Sequence, residues 1–282
     1  MPRGSLSAHA TEPASALLMA TLAATLLATA AGLMLIETRA ARGASGESYR
    51  LARAGLEADR LLALATTRLD AGDPMPSQGV LFGDEASGRV LRQDAAGLVD
   101  VNAAPPERLA ALFEALGVDH ERAQALGDRI GDWRDEDNLR RLHGAEAAEY
   151  EQAQAAGPAN RPFETEGELS RVLGMTPELL ACALPLLTTY SGQAEIDAAA
   201  APPRLAALLG LVPDQRIAAG APLGRVIALT AEAPISEHAF LRRTLWLRLT
   251  GDPARPVLVH RAQEELAPRS GASEDACQGT VS

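Results

Sequence analysis

The chain has no lysine; all 26 of its basic side chains are arginine. That absence excludes a Schiff-base or general-base lysine and the lysine of a phosphate-binding P-loop. Aromatic residues make up only 3% of the sequence, and the cysteines are just two, Cys182 and Cys277. Two thiols build neither a disulfide-dense scaffold nor a four-thiolate zinc site. Cys182 lies in the apolar run Leu179-Leu180-Ala181-Cys182-Ala183-Leu184 and reads as a core residue. Basic charge is also short, with 37 acidic against 26 basic residues and a net charge of -11. A binder of phosphate backbones needs a basic face, so nucleic acid is not an expected partner.

Against these absences stands one long uncharged run. Ala14 to Ile36 holds no charged residue. As a helix it extends roughly 35 Å, enough to cross a hydrocarbon core of about 30 Å. A cleaved secretory signal has a shorter apolar region, about 7–15 residues, and fits less well. The other reading is a buried core helix, since alanine and threonine dilute the hydrophobicity. Arg3 precedes the run and Arg39 and Arg42 follow it, so the flanking charges set no orientation.

Beyond Gly43-Ala44-Ser45-Gly46, residues 47–70 repeat apolar side chains at three- and four-residue steps. Leu51, Ala54, Ala58, Leu61, Leu62, Ala65 and Leu69 form one helical face. Pro74 and Pro76 end it. Strands are predicted over 80–82, 89–92 and 98–101, between glycines. Residues 102–187 read as helical. Pro105-Pro106 opens a helix that Gly117 closes, and a second runs from Asp119 to Trp133. Thr165 and Thr176-Pro177 open two more helices, separated by Gly174. The segment AAPPERLAAL at 103–112 echoes as AAPPRLAAL at 200–208. Strand character returns at 226–230, 241–249 and 256–261, and the small, polar tail from Ala267 reads as disordered.

The densest polar cluster is Asp132-Trp133-Arg134-Asp135-Glu136-Asp137-Asn138, with Glu146 and Glu149 downstream. Read as an EF-hand starting at Asp135, it places Leu139 and Arg140 where an oxygen ligand and a glycine are required, so it is not one. Crowded carboxylates suit a calcium ion, a hard cation held by six to eight oxygens. They equally suit a solvated loop paired with Arg134, Arg140 and Arg141, and the residues leave both readings open. Nothing else supports hydrolytic chemistry. His9, His120, His143, His238 and His260 lack metal-ligand spacing, and no serine sits in a nucleophile elbow. No enzyme activity, and no small-molecule substrate, is expected.

The blocks GDWRDED, GAEAAEY at 144–150, ANRPFETEGELSRVLGM at 159–175 and LPLLTTYSGQAEID at 184–197 together resemble general secretion pathway protein K, the minor pseudopilin K of type II secretion. The resemblance covers 98–210 and, in outline, the N-terminal helix. It implies an α+β fold, a pilin-like long N-terminal helix on a small antiparallel sheet, with an inserted all-helical domain. On that plan the domains are a leader and transmembrane helix (1–42), a pilin-like helix and first strands (43–102), the inserted domain with two helix-hairpin-helix-like units (103–188), the rest of the pilin-like domain (189–266) and the tail (267–282). It further implies a structural subunit anchored in the inner membrane through 14–36, with its bulk in the periplasm. The implied role is capping the tip of the pseudopilus and helping start its assembly, beside the minor pseudopilins I and J. Calcium is associated with the inserted domain of this family, which points to Asp135, Asp137 and Glu146 as ligands, with Asp132 as an alternative. Two departures stand out. Gly4 resembles the end of a prepilin leader, yet Ser5 to Pro13 separate it from the apolar run; and that run has no glutamate at its fifth residue, a residue the family itself commonly lacks. The hairpins carry the alternative reading, a membrane-anchored helix-hairpin-helix protein for DNA binding or uptake. Against it stand the acidic surroundings and the missing paired glycines.

Overall fold

A computed structural model describes residues 46–69, 78–212, 223–252, 254–268 and 277. The chain divides into two compact units, 1–53 and 54–282. Of the first, only 46–53 is described, the exposed opening turns of a helix that runs over 46–69 (α1). The expected span at 14–36 and the Gly4 junction lie outside the described residues. Among the described residues, no helix is long and apolar enough to cross a membrane.

In the second unit, α1 buries the face its periodicity marks: Ala54, Ala58, Leu61, Leu62, Ala65 and Leu69 are all at most 7% exposed. They pack on one side of a five-stranded antiparallel sheet, against Val90, Ile227, Leu229, Ala231, Leu241 and Leu247. The strands are β1 (Gln78–Asp84), β2 (Gly88–Asp94), β5 (Val226–Pro234), β6 (Ala239–Leu249) and β7 (Val257–Pro268), in spatial order β1-β2-β5-β6-β7. Alternation explains the packing: within β6, Leu241, Leu247 and Leu249 turn inward while Arg248 faces water. Arg243 fastens the layers by pairing with Asp59 of α1 and Glu264 of β7.

β2 and β5 are direct neighbours, with Arg89 opposite Glu232 and Asp94 opposite Ile227. Everything between them is therefore an insertion into the sheet. It leaves through β3 (Val99–Asp100) and comes back through β4 (Leu187–Thr188), which lie side by side as a two-residue parallel pair. Between these come α2 (Pro106–Ala115), α3 (His120–Arg134), α4 (Ala147–Gln152), a 3-10 turn at Glu166–Arg171 and α5 (Pro177–Ala183). The segment expected as a helix after Thr165 is thus only a 3-10 turn, closed before Gly174, whose φ of 88° suits glycine.

The inserted body is larger than 103–188. After β4, α6 (Pro203–Leu209) packs into the same helical core, where Leu205 is fully buried with Leu109, Leu112, Phe113 and Leu126. The sequence echo is structural: Pro105 and Pro202 both cap in extended conformation, and Pro106 and Pro203 both occupy the first turn. The segment 189–211 therefore goes with the helices, and the pilin-like strands resume only at β5. Several contacts fix the junction. Arg225 bridges Asp94 (3.3 Å) and Asp197 (2.7 Å), and Gly97 lies so close to Ala200 that a Cβ would sit 2.0 Å from its carbonyl oxygen. Glu166 accepts from Thr189 N and from Arg261 of β7, and Tyr190 packs on Trp246 of β6 at 5.1 Å.

Of the expected tail only 267, 268 and 277 are among the described residues. Ala267 and Pro268 complete β7 opposite Phe240 and Ala239. Cys277 is bonded to Cys182 of α5, with the two Cα atoms 5.6 Å apart. Cys182 is a core residue, 8% exposed, and a disulfide partner at once.

Candidate metal centre

The acidic loop is built on the end of α3. Asp119 caps that helix, accepting from Arg122 N at 3.0 Å. Its last turn drives Trp133 into the core, stacked on Phe163 (6.0 Å between centroids) and tilted against Tyr150 (5.6 Å). With Trp133 so fixed, its neighbours cannot turn freely. Asp132 is fully buried, Arg134 reaches back to the carbonyls of Val101 and Ala104, and Asp135 leads into the loop.

Arg141 supplies the countercharge on one side. Its guanidinium lies 2.6 Å from Asp132 Oδ1 and 2.6 Å from Asp135 Oδ2, and its backbone N–H donates to Asp132 as well. Burial works to lower the pKa of Arg141, but the hydrogen bonds to Asp135 and Asp132 outweigh it and raise the net value. Burial raises the pKa of Asp132 despite Arg141. Gly144 makes this packing possible: a Cβ there would sit 1.8 Å from Asp132 Oδ2.

The other side gathers three carboxylates, of which only Asp135 touches Arg141. Asp135, Asp137 and Glu146 each offer an oxygen within 4.8 Å of the others. Glu146 precedes α4 as its N-cap, and its backbone N–H donates to Glu149 Oε2 at 2.9 Å, which orients the helix start. Its own side chain is 5% exposed, yet among the described residues neither carboxylate oxygen meets a hydrogen-bond donor. Asp135 Oδ1 is orphaned in the same way. Burial pushes the Glu146 carboxyl up, and the charges of Asp132, Asp135, Asp137 and Glu149 push it further. Buried, unpaired acceptors such as the Glu146 oxygens and Asp135 Oδ1 are costly, and a hard cation shared with the exposed Asp137 would satisfy them. The donor set, carboxylate oxygen throughout, fits calcium by type and charge.

The structure thus brings together Asp135, Asp137 and Glu146 and gives Asp132 a different part, that of Arg141's buried partner. The pairing expected of a solvated loop is only partly found. Arg141 is engaged and Arg140 reaches Glu149 at 3.5 Å, while Arg134 is turned to the opposite side. Sequence reasoning missed Gly144, which carries no pattern of its own, and Asn160. The latter adopts a φ of 47°, reaches the Asp137 carbonyl with Nδ2 at 3.4 Å, and leaves Oδ1 buried without a donor. The motif block at 159–175 contains Asn160, so a search for oxygen donors across all the blocks would have found it.

Of the two hairpins of the alternative reading, the first is formed between α2 and α3, while the second has only a 3-10 turn before Gly174. Gly117, with φ 95°, turns α2 into α3, but Glu114, Asp119 and Glu121 surround the turn, and helix-end amides amid carboxylates repel phosphate.

Comparison with known proteins bears on these features. Residues 89–192 match the family model for type II secretion system (T2SS) protein K. A search of curated proteins finds no match to the chain. Among solved structures the chain is similar to one from the crystal structure of the GspK-GspI-GspJ complex of the enterotoxigenic Escherichia coli type 2 secretion system. Identity is 18%, coverage 81% of this chain and 99% of that chain, and the TM-score 0.52. At that identity the likeness is one of fold: the mixed helix and antiparallel sheet described above is shared. The match runs from β2 through β3 and α2 to α5 as far as β4, and contains Asp135, Asp137 and Glu146. Residues 89–192, somewhat over a third of the chain, thus correspond to the segment that the family model for type II secretion system protein K describes.

Proposed function

We propose that this protein is a structural, non-enzymatic minor pseudopilin that caps the tip of a type II secretion pseudopilus and assembles there with the minor pseudopilins I and J. The observation that carries the reading is the insertion of a whole helical body between β2 and β5 of a pilin-like sheet. Pilin-like subunits stack through their N-terminal helices, and a body of this size exceeds one subunit's slot. At the growing end nothing sits above it. The missing helix glutamate agrees. In a stacked subunit that carboxylate neutralises the neighbouring N-terminal amine in an apolar bundle, where a lone charge is costly. A terminal subunit has no such neighbour to neutralise. The similar solved structure is of a complex with I and J, which is why they are chosen as partners.

In this reading residues 14–36 anchor the chain in the inner membrane and the folded part lies in the periplasm. The Cys182–Cys277 bond supports an oxidising compartment, since cytosolic thiols are kept reduced. Calcium would be held by Asp135, Asp137 and Glu146, supplying structural cross-linking of the loop and no chemistry. Asp132 and Arg141 hold Asp135 in place.

The test is co-expression of the full chain with its system's pseudopilins I and J, followed by purification from membranes and native mass measurement. A complex with one copy of each is expected. Failure to associate, or filaments formed by this chain alone, would overturn the tip assignment.

A further inference from the structure

Leu139 and Leu142 are 77% and 83% exposed, although both lie in the loop between two of the clustered carboxylates, Asp137 and Glu146. Exposed leucines are ordinary one at a time; here two fall within one short, heavily anchored loop. Leu139 N donates to Asp137 Oδ1, Arg141 is tied to Asp132 and Asp135, and His143 N donates to Asp128 Oδ2 at 3.0 Å. The loop is thus held firmly while its apolar side chains face outward.

Beside it lies a groove of about 380 Å³ between α2, α3 and this loop. Pro106, Ala110 and Leu142 give it an apolar surface, and Glu107, Glu114 and Asp128 line it with acid. Glu114 also engages His120 Nδ1 at 2.6 Å. No arginine lines the groove, in a chain with 26 of them. An apolar cleft walled by carboxylates repels lipid headgroup phosphate and nucleic acid alike. Its complement is a cationic protein segment carrying an apolar side chain.

We propose that this groove, with Leu142 in its wall and Leu139 exposed on the same loop, docks a lysine- or arginine-flanked apolar segment of a partner protein. That loop is held in place by a cation at Asp135, Asp137 and Glu146; this coupling rests on the calcium reading above. Without the cation the three carboxylates repel, and that repulsion works against the hydrogen bonds that hold the loop, so Leu142 is held less firmly at the groove wall.

The experiment uses the full chain in phosphatidylcholine nanodiscs and three fluorescent peptides: one with leucines flanked by lysine, a twin with glutamate flanks, and a twin with serine replacing leucine. Anisotropy is read in calcium and in chelator, and melting temperature is read alongside. The lysine-leucine peptide should bind in calcium, about tenfold or more tighter than either twin. Binding should fall by about the same factor with Leu142→Ser and in chelator. Leu142 is exposed, so Leu142→Ser should melt with the parent. No binding of the lysine-leucine peptide up to about 1 mM, with calcium still raising the melting temperature, would overturn the docking surface and leave the calcium reading intact. Binding that ignores Leu142→Ser overturns it too. Binding that ignores chelator, with no melting shift, overturns the coupling together with the calcium reading.

Discussion

Replacing Cys277 by alanine opens the covalent loop between α5 and the C-terminal tail while leaving Cys182 in the helical core. The bonded cysteines are 95 residues apart, and the loop they close contains β4, α6 and the strands β5, β6 and β7. In the chain-entropy account, closing a loop of about 100 residues restricts the unfolded state by about 4.7 kcal/mol. Cys277 is only half buried, so little packing is lost with it. The expected loss is therefore about 4–5 kcal/mol, nearly all of it from the unfolded side. For a folded unit of this size each kcal/mol moves the melting temperature by about 2–4 °C, so Cys277→Ala should melt about 10–15 °C lower. Denaturant unfolding adds a second signature. A chain released from the cross-link unfolds to a more expanded ensemble, and the slope of stability against denaturant should rise. The double variant with Cys182→Ala should lose only about 1 kcal/mol more, for a small core vacancy. Cys277→Ala melting within a degree or two of the parent would refute the reasoning. So would two titratable thiols in the oxidised, folded protein.

Other substitutions probe the loop and the junction. Glu146→Gln should abolish the rise in melting temperature produced by calcium, yet raise stability in chelator, because it removes a buried charge among like charges; scanning calorimetry in both buffers reads both signs. Gly144→Ala should cost about 1–3 kcal/mol in denaturant unfolding, since its Cβ has no room beside Asp132 Oδ2. Arg225→Ala strands Asp94, whose side chain is 1% exposed, and Asp197; because Arg225 is itself partly in water, the loss should be about 2 kcal/mol, measured the same way.

The elements that could be read in the sequence are those with local grammar. The proline pair at 105–106 set the start of α2, the three- and four-residue spacing marked the buried face of α1, and alternation marked β6. What an element packs against is not a local property. The repeated Pro-Pro at 202–203 announced α6, but nothing in its residues says that Leu205 joins Leu109 and not the sheet. β3 and β4 are two residues each, too short for any period, and they matter only because they meet. The two cysteines left their redox state open, because a thiol and a disulfide look alike in a sequence. At the acidic loop, the density of carboxylates marked the region, and the resemblance pointed within it to Asp135, Asp137 and Glu146. No local pattern distinguishes Arg141, which bridges Asp132 and Asp135, from Arg134, which serves backbone carbonyls elsewhere; that choice follows from the burial of Trp133.

The pairing of β2 with β5 also dictates an order of events as the chain folds. These strands are sheet neighbours, yet residues 95–225 separate them, and joining them directly means closing that entire stretch as a loose coil. Long-range strand pairing is slow because the entropy of closure comes before the contacts that repay it. A helical body already folded changes the problem, since β3 then lies beside β4, and Gly97, just after β2, lies against Ala200. Much of the distance is bridged before the strands meet. On this view the inserted body templates the sheet it interrupts. Helix-rich intermediates should precede sheet formation in stopped-flow refolding, and weakening the helical core at Leu109 should slow the appearance of strand signal more than it speeds unfolding.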